Sequence, residues 1–249
     1  MKYAAGDRPP QIVAMGGGSW PMEPRNPRLD RYIFSLARAR RPRVCLLGTA
    51  FGDERKGIRR FYRAMQKHDV VPSDLSLFRR DDRDPEKVLL EQDVIYVGGG
   101  NTANLLALWR LHGVDRALRA AWKTGTVLCG LSAGMICWFE SCVTDSFGPL
   151  RPLKDGLGLL PGSACPHYDG ESNRRPTYHD AIRKKILPPG VAADDGAALH
   201  YVGRKLHRCV ASRPNAKCYR VGLRNGRVVE EVLPTEYLDR AGRVPATSS

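Results

Sequence analysis

The sequence has no C-x-x-C pair and no H-E-x-x-H, so its 249 residues carry neither a dithiol redox motif nor a zinc site of familiar spacing. It has no run of about 18 apolar residues to cross a bilayer, and its opening stretch, MKYAAGDRPPQIVAMGGG, lacks the apolar core of a secretory signal. A soluble cytoplasmic protein with no membrane partner is the expectation. The seven cysteines, at positions 45, 129, 137, 142, 165, 209 and 218, are odd in number, and most sit in apolar runs. They read as reduced core residues, not as a disulfide framework. The formal charge of +14 comes without a long basic block, an aromatic-interleaved RNP-like segment or a recognisable recognition helix. The basic residues are dispersed from Arg25 to Arg243, so a solvated surface is expected and no specific nucleic-acid partner. A dinucleotide fingerprint is missing as well, because the loop Gly16-Gly17-Gly18 is followed by Pro21 where the third glycine would have to stand.

What the sequence does contain is an alternation of strand and helix patterns. Strand-like runs at Gln11 to Met15, Arg43 to Thr49, Leu75 to Phe78 and Asp93 to Val97 are separated by helical patterns. These helices begin at Asn26-Pro27, run from Asp53 to His68 with Phe61 and Tyr62 as core aromatics, run from Pro85 to Leu90, and follow Thr102 through Leu105 to Trp109. A further helix, Gly113 to Lys123, leads into the strand Thr126 to Cys129. That pitch argues for a mostly parallel, doubly wound α/β sheet in one domain over 1–249, with about 1–9 and 240–249 frayed. After Trp138 come shorter strand-like segments at Ser141 to Thr144, Leu157 to Leu160 and Gly162 to Cys165, then a helix from Pro176 to Ile186. The tail reads as an antiparallel portion with a hairpin turn at Asn225-Gly226.

The chain is organised around Thr126 to Phe139, TVLCGLSAGMICWF, in which G-x-S-x-G sits between a β-favouring run and a helix-compatible one. A nucleophile on a tight strand-to-helix turn needs small neighbours so that both backbones can pass. Such a turn would expose the Ser132 hydroxyl and set the Ala133 N–H at a helix N-terminus, where it can meet a developing oxyanion. The loop Gly98-Gly99-Gly100-Asn101 after the fourth strand implies a close backbone approach, to an oxyanion or to a substrate main chain, with Asn101 a candidate to meet substrate. A serine nucleophile needs a base. Of the six histidines, His167 stands out, because it follows Cys165-Pro166 at a strand end and opens the polar loop Tyr168-Asp169-Gly170-Glu171. Three acids could orient it: Asp145, Asp169 and Asp195 of the turn Asp194-Asp195-Gly196.

Together Gly98-Gly99-Gly100-Asn101-Thr102, Gly130-Leu131-Ser132-Ala133-Gly134, Pro166-His167-Tyr168 and Asp194-Asp195-Gly196-Ala197-Ala198-Leu199 resemble the peptidase E family, the S51 serine peptidases that also include cyanophycinase. The resemblance implies a class I glutamine amidotransferase-like three-layer α/β sandwich with serine in place of the amidotransferase cysteine. It implies Ser132 as nucleophile, His167 as base, and Gly99, Gly100 and Ala133 as the oxyanion-hole elements. The acid departs from the family's pattern: Asp195 stands where many members have Glu, and Asp145 lies near, but not at, the offset of an Asp proposed in dipeptidase E. Arg174 and Arg175 fall where a related cyanophycin-cleaving enzyme has acid-binding arginines. They are candidates to select Asp on the amino side of the cleaved bond, or else solvated loop charges. The expected activity is hydrolysis of short peptides with no metal or organic cofactor, and a homodimer is left open. An esterase of another class, or a non-catalytic small-molecule-binding protein on the same fold, is the alternative.

Overall fold

The structure, a computed structural model, describes residues 9–245. In chain order its elements are β1 (Gln11–Met15), α1 (Ser19–Met22), α2 (Arg28–Ser35), β2 (Arg43–Leu47), a 3₁₀ turn at Thr49–Phe51, α3 (Arg55–Met65), β3 (Val71–Leu75), α4 (Pro85–Leu90) and β4 (Val94–Val97). There follow α5 (Thr102–Leu111), α6 (Val114–Lys123), β5 (Val127–Leu131), α7 (Ala133–Ile136), β6 (Phe139–Thr144), β7 (Arg151–Leu153), β8 (Leu160–Cys165), α8 (Arg174–Arg183) and β9 (Gly190–Ala193). The last are β10 (Ala197–Val202), β11 (Lys205–Ala211), β12 (Cys218–Arg224), β13 (Arg227–Leu233) and β14 (Thr235–Tyr237).

An 8-stranded sheet runs β14-β11-β10-β1-β5-β4-β2-β3. Its centre is parallel, with β5 beside β1 and β4, and β2 between β4 and β3. Its strands are apolar on both faces because both faces are covered. Side chains alternate across a strand. Ile12 and Ala14 therefore join one core with Leu105, Trp109 and Leu118 of α5 and α6, while Val13 and Met15 join another with Leu29, Ile33 and Phe61 of α2 and α3.

The sequence reading did not separate out a second, 6-stranded sheet, β13-β12-β9-β8-β6-β7. The same alternation seats it. Cys142, Ala164 and Val191 face the first core, and their neighbours Val143, Cys165 and Ala192 face α8 through Tyr178, Ala181 and Ile182. The fold is thus a layered α/β sandwich. The segments expected as one antiparallel tail divide between the sheets: β10 and β11 belong to the first, and β12 and β13 to the second.

Three local differences have physical reasons. The helix expected through Phe139 stops at Ile136, because Trp138 and Phe139 turn into strand pairing, with the Leu160 N–H donating to the Trp138 carbonyl at 2.9 Å. The strand expected over Leu75 to Phe78 ends at Leu75, since the N–H groups of Leu77 and Phe78 donate instead to the Asp53 carboxylate at 2.6 and 3.1 Å. Residues 240–243, expected to fray, close a turn in which the Arg243 N–H donates to the Asp239 carboxylate at 2.8 Å. Of the same expectation, residues 1–8 and 246–249 lie outside the described ones. All seven cysteines are free and buried. Among the described residues no helix is long and apolar enough to cross a membrane.

Candidate active site

The carboxyl ends of β1, β4, β5, β8 and β9 meet at one edge of the molecule. There the loops carry, in order, Gly16 to Gly18, Gly98 to Gly100, Ser132, His167 and Asp195. Ser132 holds φ 54° and ψ −115°, a conformation costly for a residue with a Cβ and maintained only where its surroundings over-determine it. They do. The Ser132 N–H donates to the Met15 carbonyl at 3.2 Å, and the Ser132 carbonyl accepts from Met135 and Ile136 at 2.9 and 3.0 Å. The flanking glycines have a steric explanation: a Cβ on Gly130 would lie 2.6 Å from the Gly134 carbonyl oxygen, and one on Gly134 would overlap the Val97 carbonyl. Ser132 itself is half-buried at this turn.

His167 is tied to the same strand end, since its N–H donates to the Gly16 carbonyl at 3.3 Å, one residue on from the carbonyl that receives Ser132. Its Nδ1 lies 2.6 Å from Asp195 Oδ1, and both side chains are largely withdrawn from water, at 11% and 14% exposure. Burial alone would raise the Asp195 pKa. The hydrogen bond to His167 and the positive fields of His167, Arg213 and Arg174 outweigh it and hold the carboxyl below its ordinary range. With the carboxylate on Nδ1, the imidazole tautomer that leaves Nε2 free to accept a proton is favoured. Gly17 explains how the pair fits: a Cβ there would overlap Asp195 Oδ1 and approach within 3.1 Å of His167 Nδ1. No hydrogen bond joins the Ser132 hydroxyl to His167 among the described residues; in enzymes without substrate such bonds are often long and tighten on binding.

The other two acids are engaged differently. Asp169 accepts the Asp195 N–H at 2.8 Å, so it fixes the backbone of the turn and not the imidazole. Asp145 has a side chain 56% exposed and lies 3.7 Å from Arg174. Gly99 leans on the nucleophile, with a Cβ there set 3.2 Å from Ser132 Cβ. Among the described residues the N–H groups of Gly99, Gly100 and Ala133 donate to no protein acceptor, in contrast to Gly98 and Asn101, which donate to Leu47 and Ala50.

Three residues expected to meet substrate are occupied elsewhere. Asn101 caps α5, its Oδ1 accepting the Asn104 N–H and its Nδ2 donating to the Ser146 carbonyl, both at 2.9 Å. Arg174 is 3% exposed and donates to Glu171 at 2.7 Å and to the Val143 carbonyl at 3.4 Å. Arg175 lies over the rings of Tyr168 and Tyr219, 4.5 and 5.1 Å from their centroids, and pairs with Glu230 at 3.6 Å. These arginines brace the layer that carries the His167 loop.

Sequence reasoning missed a cleft of about 410 Å³ that begins at Gly98, Gly99 and Leu131 beside the serine and extends to the first turns of α3. The missed signal was a helix packed with cations, Arg55-Lys56-Gly57-Ile58-Arg59-Arg60, directly after a loop at the ligand-binding edge of the sheet.

A serine on a strained strand-to-helix turn, an imidazole held by a carboxylate largely withdrawn from water and N–H groups without a protein acceptor thus meet at one edge of the sheet. Residues 12–209 match the profile of peptidase family S51, and the chain belongs to that family. It is 55% identical over 228 residues to the Bacillus subtilis (strain 168) protein named Uncharacterized peptidase YgaJ, covering 92% of this chain and 99% of that one. It is 31% identical over 134 residues to Peptidase E of Shewanella denitrificans, covering 49% of this chain and 56% of the relative. Among solved structures, a peptidase from an acI-B1 Actinobacterium shares the fold, with a TM-score of 0.70 over 94% of this chain and 98% of that one at 17% identity.

Proposed function

We propose that this protein is a serine peptidase of short peptides in which Ser132 is the nucleophile, His167 the general base and Asp195 the residue that orients the base and stabilises its protonated form. The His167–Asp195 contact of 2.6 Å, made between the loops that follow β8 and β9 of the second sheet, is the observation that carries this reading. Ser132 Oγ attacks the scissile carbonyl carbon as His167 Nε2 takes the hydroxyl proton, and the carbonyl π pair moves to oxygen. The N–H groups of Gly99, Gly100 and Ala133 receive that oxyanion. Collapse expels the amine, which leaves with the proton from His167. Water then attacks the acyl group, gives a proton to His167, and the Ser132 ester bond breaks with return of the proton to Oγ.

A preference for Asp on the amino side of the cleaved bond is the finer part of this reading. It draws no support from Arg174 or Arg175, whose guanidiniums are held by protein partners. The deciding experiment is hydrolysis of a panel of aminoacyl-p-nitroanilides and X-Y dipeptides, Asp-X among them, by the wild type and by Ser132→Ala. Turnover that vanishes in the variant is the expected result. Turnover that survives the substitution, or none on any peptide or simple ester, would overturn the mechanism.

A further inference from the structure

We propose that the cleft between the Gly98-Gly99 loop and α3 is the subsite for the carboxyl-terminal residue of a short peptide, binding its apolar side chain on the walls and its free α-carboxylate at Lys56 and Arg60. The inference rests on the peptidase reading for the scissile bond, but its binding half stands on the cleft itself. The inner walls are Trp20, Pro21, Phe51 and Leu131, of which Trp20 and Leu131 are 6% and 4% exposed. That is a surface for an apolar group, and no charge lies on it. The polar residues of the lining are all at the α3 end: Glu54, Lys56 and Arg60. Two cations against one anion leave that end positive.

The cations are also available. Among the described residues Lys56 forms no ion pair or hydrogen bond, and Arg60 has one partner, the Pro21 carbonyl, which accepts from Nη2 at 2.8 Å. That bond anchors the guanidinium at the mouth and leaves its other donors free to hold a carboxylate in the bidentate manner. Arg174 and Arg175, in contrast, have their charge neutralised by Glu171, Asp145 and Glu230. An apolar floor ending in unpaired cations matches a C-terminal residue, which alone in a peptide carries an apolar side chain and a carboxylate on one Cα. An acidic side chain would supply the carboxylate but leave the aromatic walls unused. The cleft begins at Gly99, against Ser132, so a residue seated in it lies adjacent to the bond the serine would attack.

The test compares Ala-Phe, its C-terminal amide Ala-Phe-NH2 and Ala-Asp-NH2, in which the only carboxylate is on the side chain. Turnover is read with wild type and with Lys56→Gln/Arg60→Gln, and equilibrium binding is read by calorimetry with Ser132→Ala. Both cations are on the surface, so the double variant is expected to fold as the wild type does, which its melting curve checks. Loss of a charge-assisted hydrogen bond corresponds to about ten- to hundredfold, so amidation of Ala-Phe is expected to weaken wild-type kcat/KM and Ser132→Ala binding by that factor. In the double variant the ratio of acid to amide is expected to approach one. Equal treatment of Ala-Phe and Ala-Phe-NH2, with Ser132-dependent turnover intact, would remove the subsite and keep the peptidase. Carboxylate-dependent binding without turnover would keep the subsite and remove the peptidase. Rescue of Ala-Asp-NH2 to the level of Ala-Phe would assign the cations to an acidic side chain and overturn the C-terminal assignment.

Discussion

At the scale of single residues, Asp195 and Asp145 are the informative contrast. Asp195→Asn keeps the shape of the turn but removes the charge beside His167 Nδ1, and it lets the imidazole adopt the tautomer that presents a proton to the serine. A loss in kcat/KM of roughly ten-thousandfold is expected, the scale seen when a triad acid becomes an amide. Asp145→Asn, on an exposed side chain whose partner Arg174 keeps Glu171, is expected to change it by less than about threefold. The Asp195 carboxyl is also held below its ordinary value of 3.8. A depressed native pKa contributes stability that is complete above the unfolded value and is lost as the pH falls through the native one. The stability gap between wild type and Asp195→Asn is therefore expected to be full at pH about 6 and to narrow at pH about 3, as urea unfolding would show. Ser132 and His167 stood out as candidates in the sequence because a glycine-flanked serine and a histidine at a strand end carry their own local signatures. The residues alone did not separate Asp195 from Asp145 and Asp169, and the resemblance favoured it only slightly, because the bridge between Gly17 and Asp195 is a contact between distant parts of the chain.

At the scale of elements, the His167 and Asp195 loops are held from behind by side chains of the second sheet. Tyr168, next to His167, donates its hydroxyl to Glu230 at 2.6 Å, with His179 2.8 Å from the same oxygen. Tyr219 on β12 donates to Asp194, next to Asp195, at 3.1 Å. Burial and the hydrogen bond to Glu230 push the Tyr168 pKa far up, so the phenol stays a donor across the working range. Tyr168→Phe leaves the Glu230 carboxylate short of that donor and is expected to cost about 1.5–3 kcal/mol of stability. Because the ring remains to pack, kcat is expected to fall several-fold with KM little changed; a rise in KM alone would mean that the loop binds substrate directly. The second sheet is also where the sequence was hardest to read. The β12–β13 hairpin was legible from Asn225-Gly226, whose φ values of 51° and 75° are those such a turn requires. The four residues of β9, Gly-Val-Ala-Ala, offer little pattern, and β3 contains Pro72, tolerated because β3 is the edge of its sheet and a missing N–H there breaks no second ladder.

For the molecule as a whole, the charge of +14 sets solubility and salt sensitivity, while stability is decided inside. Pairs such as Arg41 with Asp69, with side chains 66% and 70% exposed, contribute little. Inside, the acid Asp30 on α2 is 1% exposed and accepts from the Ser19 hydroxyl, itself 2.6 Å from the Tyr96 hydroxyl. This cluster joins α1, α2 and β4. Nothing in the run Arg28-Leu29-Asp30-Arg31 announced it, since an acid in the first turn of an amphipathic helix reads as a surface residue. Burial raises the Asp30 pKa from 3.8 to about 7, against the lowering effects of Ser19 and the Trp20 N–H and with a further upward push from Glu23. The folded state thus holds a proton that the unfolded chain has released, so stability falls as pH rises from 3.8 to about 7 and then levels off. The size of that fall is on the order of a few kcal/mol. Asp30→Asn keeps an acceptor for Ser19 without a titrating group, so its unfolding free energy should gain on the wild type steadily between pH about 4 and about 7. Parallel stability curves for the two proteins across that window would mean that Asp30 is ionised in the folded state, its charge balanced by the hydroxyl cluster alone.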